Sequence, residues 1–309
     1  MREFLCDAFL RFLSSGDDVE GFYSTIVTNY VLNSFLSYTA VMLNFVTIYA
    51  ITKTSSLLRP LRMLLRSLVV SDLGVGLLVQ PFYVALMVMT LQQQQATCIT
   101  YFVFAVVVYI FSGASFLSII CLSVDGFLAI RLNLRYQELV TSKRVTVAVI
   151  LVWLLCSTSY PLMFAILPPR TVHITFISLG LVCILLNSMV FLNIYFIVRR
   201  HSRQIQQLSQ NGAMSNTAKY GKSALSLFYL YLLFLVCYLP QLCAFIVMIK
   251  NGKSSWRMRN VLTFTMTWVF LKSSLNPVIC FWKVRHIRRV MMISLRKLLP
   301  TWESRLSIS

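Results

Sequence analysis

Apolar residues in this chain come in long unbroken runs rather than in a two-residue alternation or a one-faced helical stripe. Seven runs, near 28–52, 64–90, 98–130, 144–167, 173–198, 223–249 and 258–282, are long enough to cross about 30 Å of hydrocarbon, which takes about 20 helical residues. In lipid every backbone N–H and C=O must be paired within the protein, which leaves helices or closed barrels. These runs are too long and too weakly alternating for barrel strands. The pattern predicts an all-α membrane protein, a bundle of seven transmembrane helices. It divides the chain into an N-terminal segment 1–27, a seven-span body 28–282 and a C-terminal segment 283–309. Around the last boundary Phe281, Val284, Ile287, Met291, Leu295 and Leu298 recur every three or four residues among arginines and lysines. That spacing predicts a short amphipathic helix lying on the inner leaflet.

Composition agrees: 58% of the 309 residues are hydrophobic and 12% charged, with a mean hydropathy of +0.76, far to the apolar side of a soluble domain. The net charge of +19 suggests nucleic acid until the cations are placed. Twenty of the 28 Lys and Arg lie between spans one and two, three and four, five and six, and after span seven. Seven lie on the other side, and Lys272 lies inside span seven. The rich side is cytoplasmic by the positive-inside rule, which puts the N-terminus of this multi-pass membrane protein outside. Cations that flank crossings face anionic headgroups, so the partners they imply are membrane lipids and not nucleic acid. Glu3, Asp7 and Arg11 break the apolar core that a signal peptide needs, leaving span one as the insertion signal. No repeat of fixed period supports an inverted-repeat transporter. His173, His201 and His286 are scattered; no metal-ligand spacing and no nucleophile, base and acid set is recognisable, so the sequence points to no enzyme, metal or cofactor.

Several short motifs sit inside the spans. Span one holds Asn44 in LNFVTIYAI, span two Asp72 in LVVSDLGVGLLVQP, and span three Asp125 in SIICLSVDGFLAI. Span four holds Trp153, span six Pro240 in CYLP, and span seven Asn276 and Pro277 in SSLNPVIC. An ionised group at membrane depth costs at least ~2.5–3.5 kcal/mol, so Asp72 needs a partner or an aqueous cavity. Pro240 and Pro277 each remove a helical hydrogen bond and invite a kink, and Asn276 is placed to cap the second break. Two kinked helices beside a buried polar cluster form a bistable element of the kind a signalling protein needs.

Taken in order, these landmarks resemble the rhodopsin-like (class A) family of G protein-coupled receptors, over about residues 28–299. The stretches RLNLRYQELVTSKRV and FWKVRHIRRVM are similar to receptors of the amine, adenosine and melanocortin type. The resemblance implies a receptor that passes an extracellular, small-molecule signal to a heterotrimeric G protein at the cytoplasmic face. It assigns switch and coupling roles to Asp125, Gly126, Phe127, Tyr238, Pro240, Pro277 and Cys280. Four family positions are altered. Gly126 stands where an arginine contacts the G protein, Tyr238 where a tryptophan switch lies, and Cys280 where there is a tyrosine. Lys272 stands where many members have an uncharged polar residue near a bound sodium ion. The loss of the arginine leaves a second reading open, a non-signalling or decoy binding protein derived from a receptor.

Lys272 lies one helical turn before Asn276, so the two share a face. In the family's architecture that face looks toward Asp72 and Ser115, and the expectation is that the ammonium of Lys272 replaces the sodium ion and pairs with Asp72. Opsins carry their retinal lysine seven residues before the same proline, which here is Phe270, so no retinal site is expected. The aspartate with which aminergic receptors hold a ligand's cation falls at Val108. By matching heights, Val108, Tyr109, Ser112, Gln241, Phe245, Met266 and Phe270, together with Tyr238, are the candidates for a ligand pocket. Cys98 stands near the place where the family starts a disulfide, but residues 168–172 offer no cysteine to receive it. Cys6, the only cysteine of the N-terminal segment, leaves a Cys6–Cys98 bridge open.

Overall fold

The computed structural model describes residues 19–54, 57–94, 96–132, 135–208, 216–251 and 256–283; the expected amphipathic helix, past Lys283, and Cys6 lie outside them. The described residues are helical and contain no strand. In chain order the helices are α1 (Val19–Lys53), α2 (Arg59–Gly74), a π-helical turn (Val75–Val79), α3 (Gln80–Leu91), α4 (Cys98–Leu132), the short α5 (Tyr136–Leu139), α6 (Ser142–Ile166), α7 (Pro169–Leu208), α8 (Asn216–Asn251) and α9 (Trp256–Lys283). Together α2, the π turn and α3 make the second span, and α5 is a single turn between spans three and four. Helix propensity does not explain this uniformity. The stretch Val106, Val107, Val108, Tyr109, Ile110 is rich in β-branched residues, yet it is continuous helix because only intrasegment hydrogen bonds satisfy the backbone in lipid.

Six of the seven spans are apolar enough to cross a membrane by length and composition. The seventh, α9, has the length, since 28 residues rise about 42 Å, but its middle carries Lys272, Ser273, Ser274 and Asn276, all buried. These side chains face the bundle, and they lower the hydropathy of α9 without exposing anything polar to lipid. The outer surface shows the reverse pattern: Phe35, Leu162 and Leu185 are each at least 60% exposed, as expected where the surrounding solvent is hydrocarbon. The helices close into a ring. α1 packs on the second span and on α9, α9 on α8, and α8 on α7, while α4 passes through the middle against the second span, α6, α7 and α8. The spans run longer than the apolar runs alone predict: α1 begins at Val19 rather than near 28, and α7 at Pro169 rather than 173.

Three breaks in the helices are closed by side chains of neighbours. Pro277 has no N–H for the carbonyl of Ser273, and Asn44 Nδ2 donates to that oxygen at 2.9 Å. Pro240 likewise frees the carbonyl of Val236, which accepts from Trp268 Nε1 at 3.1 Å. In the π turn the Gln80 N–H reaches back to the Val75 carbonyl, and Pro81 has none to offer Gly76. The Gly76 carbonyl accepts instead from Ser37 Oγ at 2.7 Å. An unpaired carbonyl in hydrocarbon costs several kcal/mol, so these contacts are why the chain can bend inside a membrane. They also correct one expectation: Asn44, not Asn276, covers the break at Pro277. Close helix approach fixes two glycines. A Cβ on Gly74 would overlap the Phe111 ring, and one on Gly76 would lie 3.1 Å from Ala40 Cβ.

Candidate functional site

The deepest polar cluster lies where α2, α4 and α9 meet. Asp72 is fully buried, and Lys272 is 1% exposed. Asp72 Oδ1 accepts from Ser115 Oγ at 2.9 Å and from Ser273 Oγ at 3.0 Å, and Lys272 Nζ lies 3.5 Å away. Oδ2 accepts from Asn276 Nδ2 at 2.7 Å. The ammonium of Lys272 also donates to Ser115 Oγ and sits 5.6 Å from the Tyr238 ring centroid. Ser115 thus accepts from the cation and donates to the carboxylate. Ser71 and Asp72 lie one after the other in a regular stretch of α2, and only Asp72 turns toward α9, since Ser71 Oγ bonds back to the Leu68 carbonyl.

The electrostatic consequence follows from the arrangement. Each ion alone would face a large desolvation penalty, and together they form a net-neutral cluster in which the carboxylate has four donors around it. Lys272 occupies the place beside Asp72 in which a mobile cation would otherwise be drawn to the buried negative charge. Around this cluster Tyr238 stacks on Phe234 at 4.4 Å, and its hydroxyl donates to the Ser112 carbonyl at 3.3 Å. Cys280 is buried one turn beyond Asn276. The polar core therefore meets α8 at Tyr238, two residues before Pro240.

Toward the C-terminal end of α4, Asp125 is 7% exposed and accepts from the Tyr136 hydroxyl at 2.6 Å. Tyr136 opens α5 and is itself buried. Next to Asp125, Gly126 offers no side chain; Phe127 packs against the main apolar cluster, and its ring carries the Arg131 guanidinium at 5.7 Å. Nothing in the composition singled out Tyr136, although it lies within the receptor-like stretch after span three. Ser273, the fourth contact of Asp72, was also missed, because a serine next to a lysine carries no distinctive pattern.

The candidate ligand residues fall into separate neighbourhoods. Val108, Met266, Phe270 and Tyr238 belong to one apolar cluster, in which Phe270 is fully buried and meets the Tyr83 ring edge-on at 5.5 Å. Tyr109 turns the other way and stacks on Tyr160 at 4.2 Å and Phe176 at 4.6 Å. Phe245 stacks on His173 at 6.3 Å. Gln241 is 6% exposed, and its Oε1 has no hydrogen-bond partner. Cys98 is disulfide-bonded; Cys121, Cys156, Cys183, Cys237, Cys243 and Cys280 are free. Among the described residues no three His, Cys, Asp or Glu converge as a metal site.

Comparison with known proteins matches residues 43–170 to the 7 transmembrane receptor (rhodopsin family). Adenosine receptor A3 of Ovis aries is 24% identical over 301 residues, 88% of this chain and 90% of that receptor. Melanocortin receptor 4 of Danio rerio is 25% identical over 178 residues, 57% of this chain and about half of the relative's own length at 54%. Adenosine receptor A2b of Gallus gallus is 32% identical over 133 residues, 43% of this chain and 38% of that receptor. These relatives are receptors and not enzymes, and they lend no support to a decoy. With the ring of seven helices and the landmarks in their order, these similarities support a rhodopsin-like, seven-transmembrane G protein-coupled receptor.

Proposed function

We propose that the protein is a plasma-membrane receptor, N-terminus outside, that senses an extracellular small molecule and signals to a heterotrimeric G protein. The observation that carries this reading is the contact between the buried Asp72–Lys272 pair and two helices broken at Pro240 and Pro277. A ligand that favours one packing of α8 against α9 biases that contact, and the bias reaches the cytoplasmic end of the bundle. Lys272 serves as a built-in cation, so the state that other members stabilise with sodium is held here by the chain itself. On the cytoplasmic side the acid of α4 is satisfied by Tyr136, and Gly126 leaves the coupling surface without the family's arginine. Coupling then rests on the remaining basic residues of that side, and exchange is expected to be slow.

Guanine-nucleotide exchange on purified heterotrimers, measured with the natural protein and with Gly126→Arg in lipid nanodiscs, tests the reading. Exchange above the G protein's own rate with the natural protein, raised further by Gly126→Arg, is the expected outcome. If neither form accelerates exchange on any heterotrimer class, the signalling assignment fails.

A further inference from the structure

Outward of the ion pair, α1, α3 and α9 enclose a second polar seam. Asn29 and Asn33 are fully buried on α1. Thr267 Oγ1 donates to Asn29 Oδ1 at 2.6 Å and accepts from Asn33 Nδ2 at 2.8 Å. Asn33 Oδ1 has no partner. Across the seam Gln80, the first residue of α3, is also fully buried, and neither Oε1 nor Nε2 has one. Register brings these groups together. Ser37 Oγ meets the Gly76 carbonyl, and one turn outward on the two antiparallel helices stand Asn33 and Gln80. One turn further out the seam is closed by the Tyr83 hydroxyl, which reaches the Thr263 carbonyl at 3.4 Å.

A carboxamide has two donors and an acceptor with two lone pairs, and a membrane interior offers no solvent to meet them. A wholly buried Gln80 with every one unmet points to something that completes it. The complement must both donate and accept. It must also be uncharged: the carboxylates whose side chains are described are Asp72, Asp125 and Glu138, and Asp72, two turns inward, already has its cation. A cation buried here would have no counter-charge, and for an anion the nearest buried cation besides Lys272, Arg259, stands one turn beyond Thr263 with its guanidinium over the Phe22 ring at 4.8 Å.

We infer that the Gln80–Asn33 seam anchors the polar end of an uncharged ligand bearing a carboxamide, or a group of the same donor–acceptor pairing, whose apolar body lies against Tyr83 and Phe270. The inference deepens the receptor reading, on which it rests only for the entry of the ligand from the outer side. It moves the anchor away from the α4–α8 face to the α1–α3–α9 seam.

Three probes with one body test it: 3-phenylpropanamide, 3-phenylpropylamine and 3-phenylpropanoate, added at saturating concentration to the full chain in nanodiscs while thermal unfolding is followed. The amide is expected to raise the melting temperature by about 2–4 °C, and the two ions are not. Gln80→Met should abolish the amide's effect while leaving the ligand-free melting temperature unchanged or higher, since it removes unmet polar atoms. Asn33→Leu should weaken the effect in the same direction. Equal stabilisation by the amine or the carboxylate would overturn the inference, as would an amide effect that survives Gln80→Met. A lower ligand-free melting temperature of Gln80→Met with no response to any probe would mean that a resident water completes the carboxamide, and would also overturn it. Nucleotide exchange by the natural protein is independent of all these outcomes, so failure here leaves the receptor assignment to its own test.

Discussion

Asp72 and Lys272 are each costly in hydrocarbon and together close to neutral, so their energetics are those of a pair rather than of two residues. Asp72→Asn or Lys272→Asn leaves an uncompensated buried charge and should cost about 3–5 kcal/mol of stability, whereas the double variant should recover most of that loss. Thermal unfolding of the four proteins in one lipid composition gives the answer, and strictly additive losses would reject the pair. Because the chain supplies the cation, the melting temperature of the natural protein should not respond to exchanging sodium for choline at constant ionic strength. Lys272→Asn should acquire such a response. At the other end of α4, Tyr136 donates to a buried carboxylate at 2.6 Å. Tyr136→Phe keeps the ring and removes the donor, and should destabilise by about 1.5–3 kcal/mol. A variant as stable as the natural protein would show that the carboxylate finds water instead. Cys98 is bonded while six other cysteines are free. Cys6 is the remaining cysteine of the sequence, and we propose it as the partner; Cys6→Ser should remove the change in gel mobility that reduction causes.

Among the elements, the breaks matter more than the regular turns. Trp268 is 46% exposed, so its ring contributes modestly to packing, but its N–H holds the carbonyl freed by Pro240 and links α9 to the bend of α8. Trp268→Phe should lower stability by about 1–3 kcal/mol and loosen the two helices relative to each other. Faster amide exchange around Val236 would report it. Gly74→Ala forces a methyl into the Phe111 ring, which itself stands edge-on to Trp153 at 6.0 Å. That overpacking should cost about 1–3 kcal/mol in unfolding experiments. The sequence made the spans legible because apolar runs of this length have one solution in lipid. It showed where Pro240 and Pro277 break the helices but not what closes the breaks, since Asn44, Trp268 and Ser37 act on carbonyls 32 to 229 residues away. Such pairings are set by the packing of the ring, and no local pattern encodes them. The π turn was invisible for the same reason. The neighbours of Asp72 were legible only in part: Lys272 and Asn276 announce themselves as polar residues in a span, and Ser273 does not.

For the whole molecule, the ring of seven helices turns an apolar surface outward and gathers polar residues inside, among them the neutral ion-paired core and the seam of Asn29, Asn33 and Thr267 above it. The weaker hydropathy of α9 is the price of building both, since it contributes Lys272, Ser273 and Asn276 to one and Thr267 to the other. That makes α9 the helix on which both the membrane topology and the proposed signalling depend. If α9 did not cross, the termini would share a side and the Asp72 cluster could not assemble. The most direct measurement is the accessibility of epitope tags at the two termini in intact cells expressing the full chain. The account predicts an N-terminal tag labelled without permeabilisation and a C-terminal tag labelled only after it. Labelling of both tags from one compartment would contradict it.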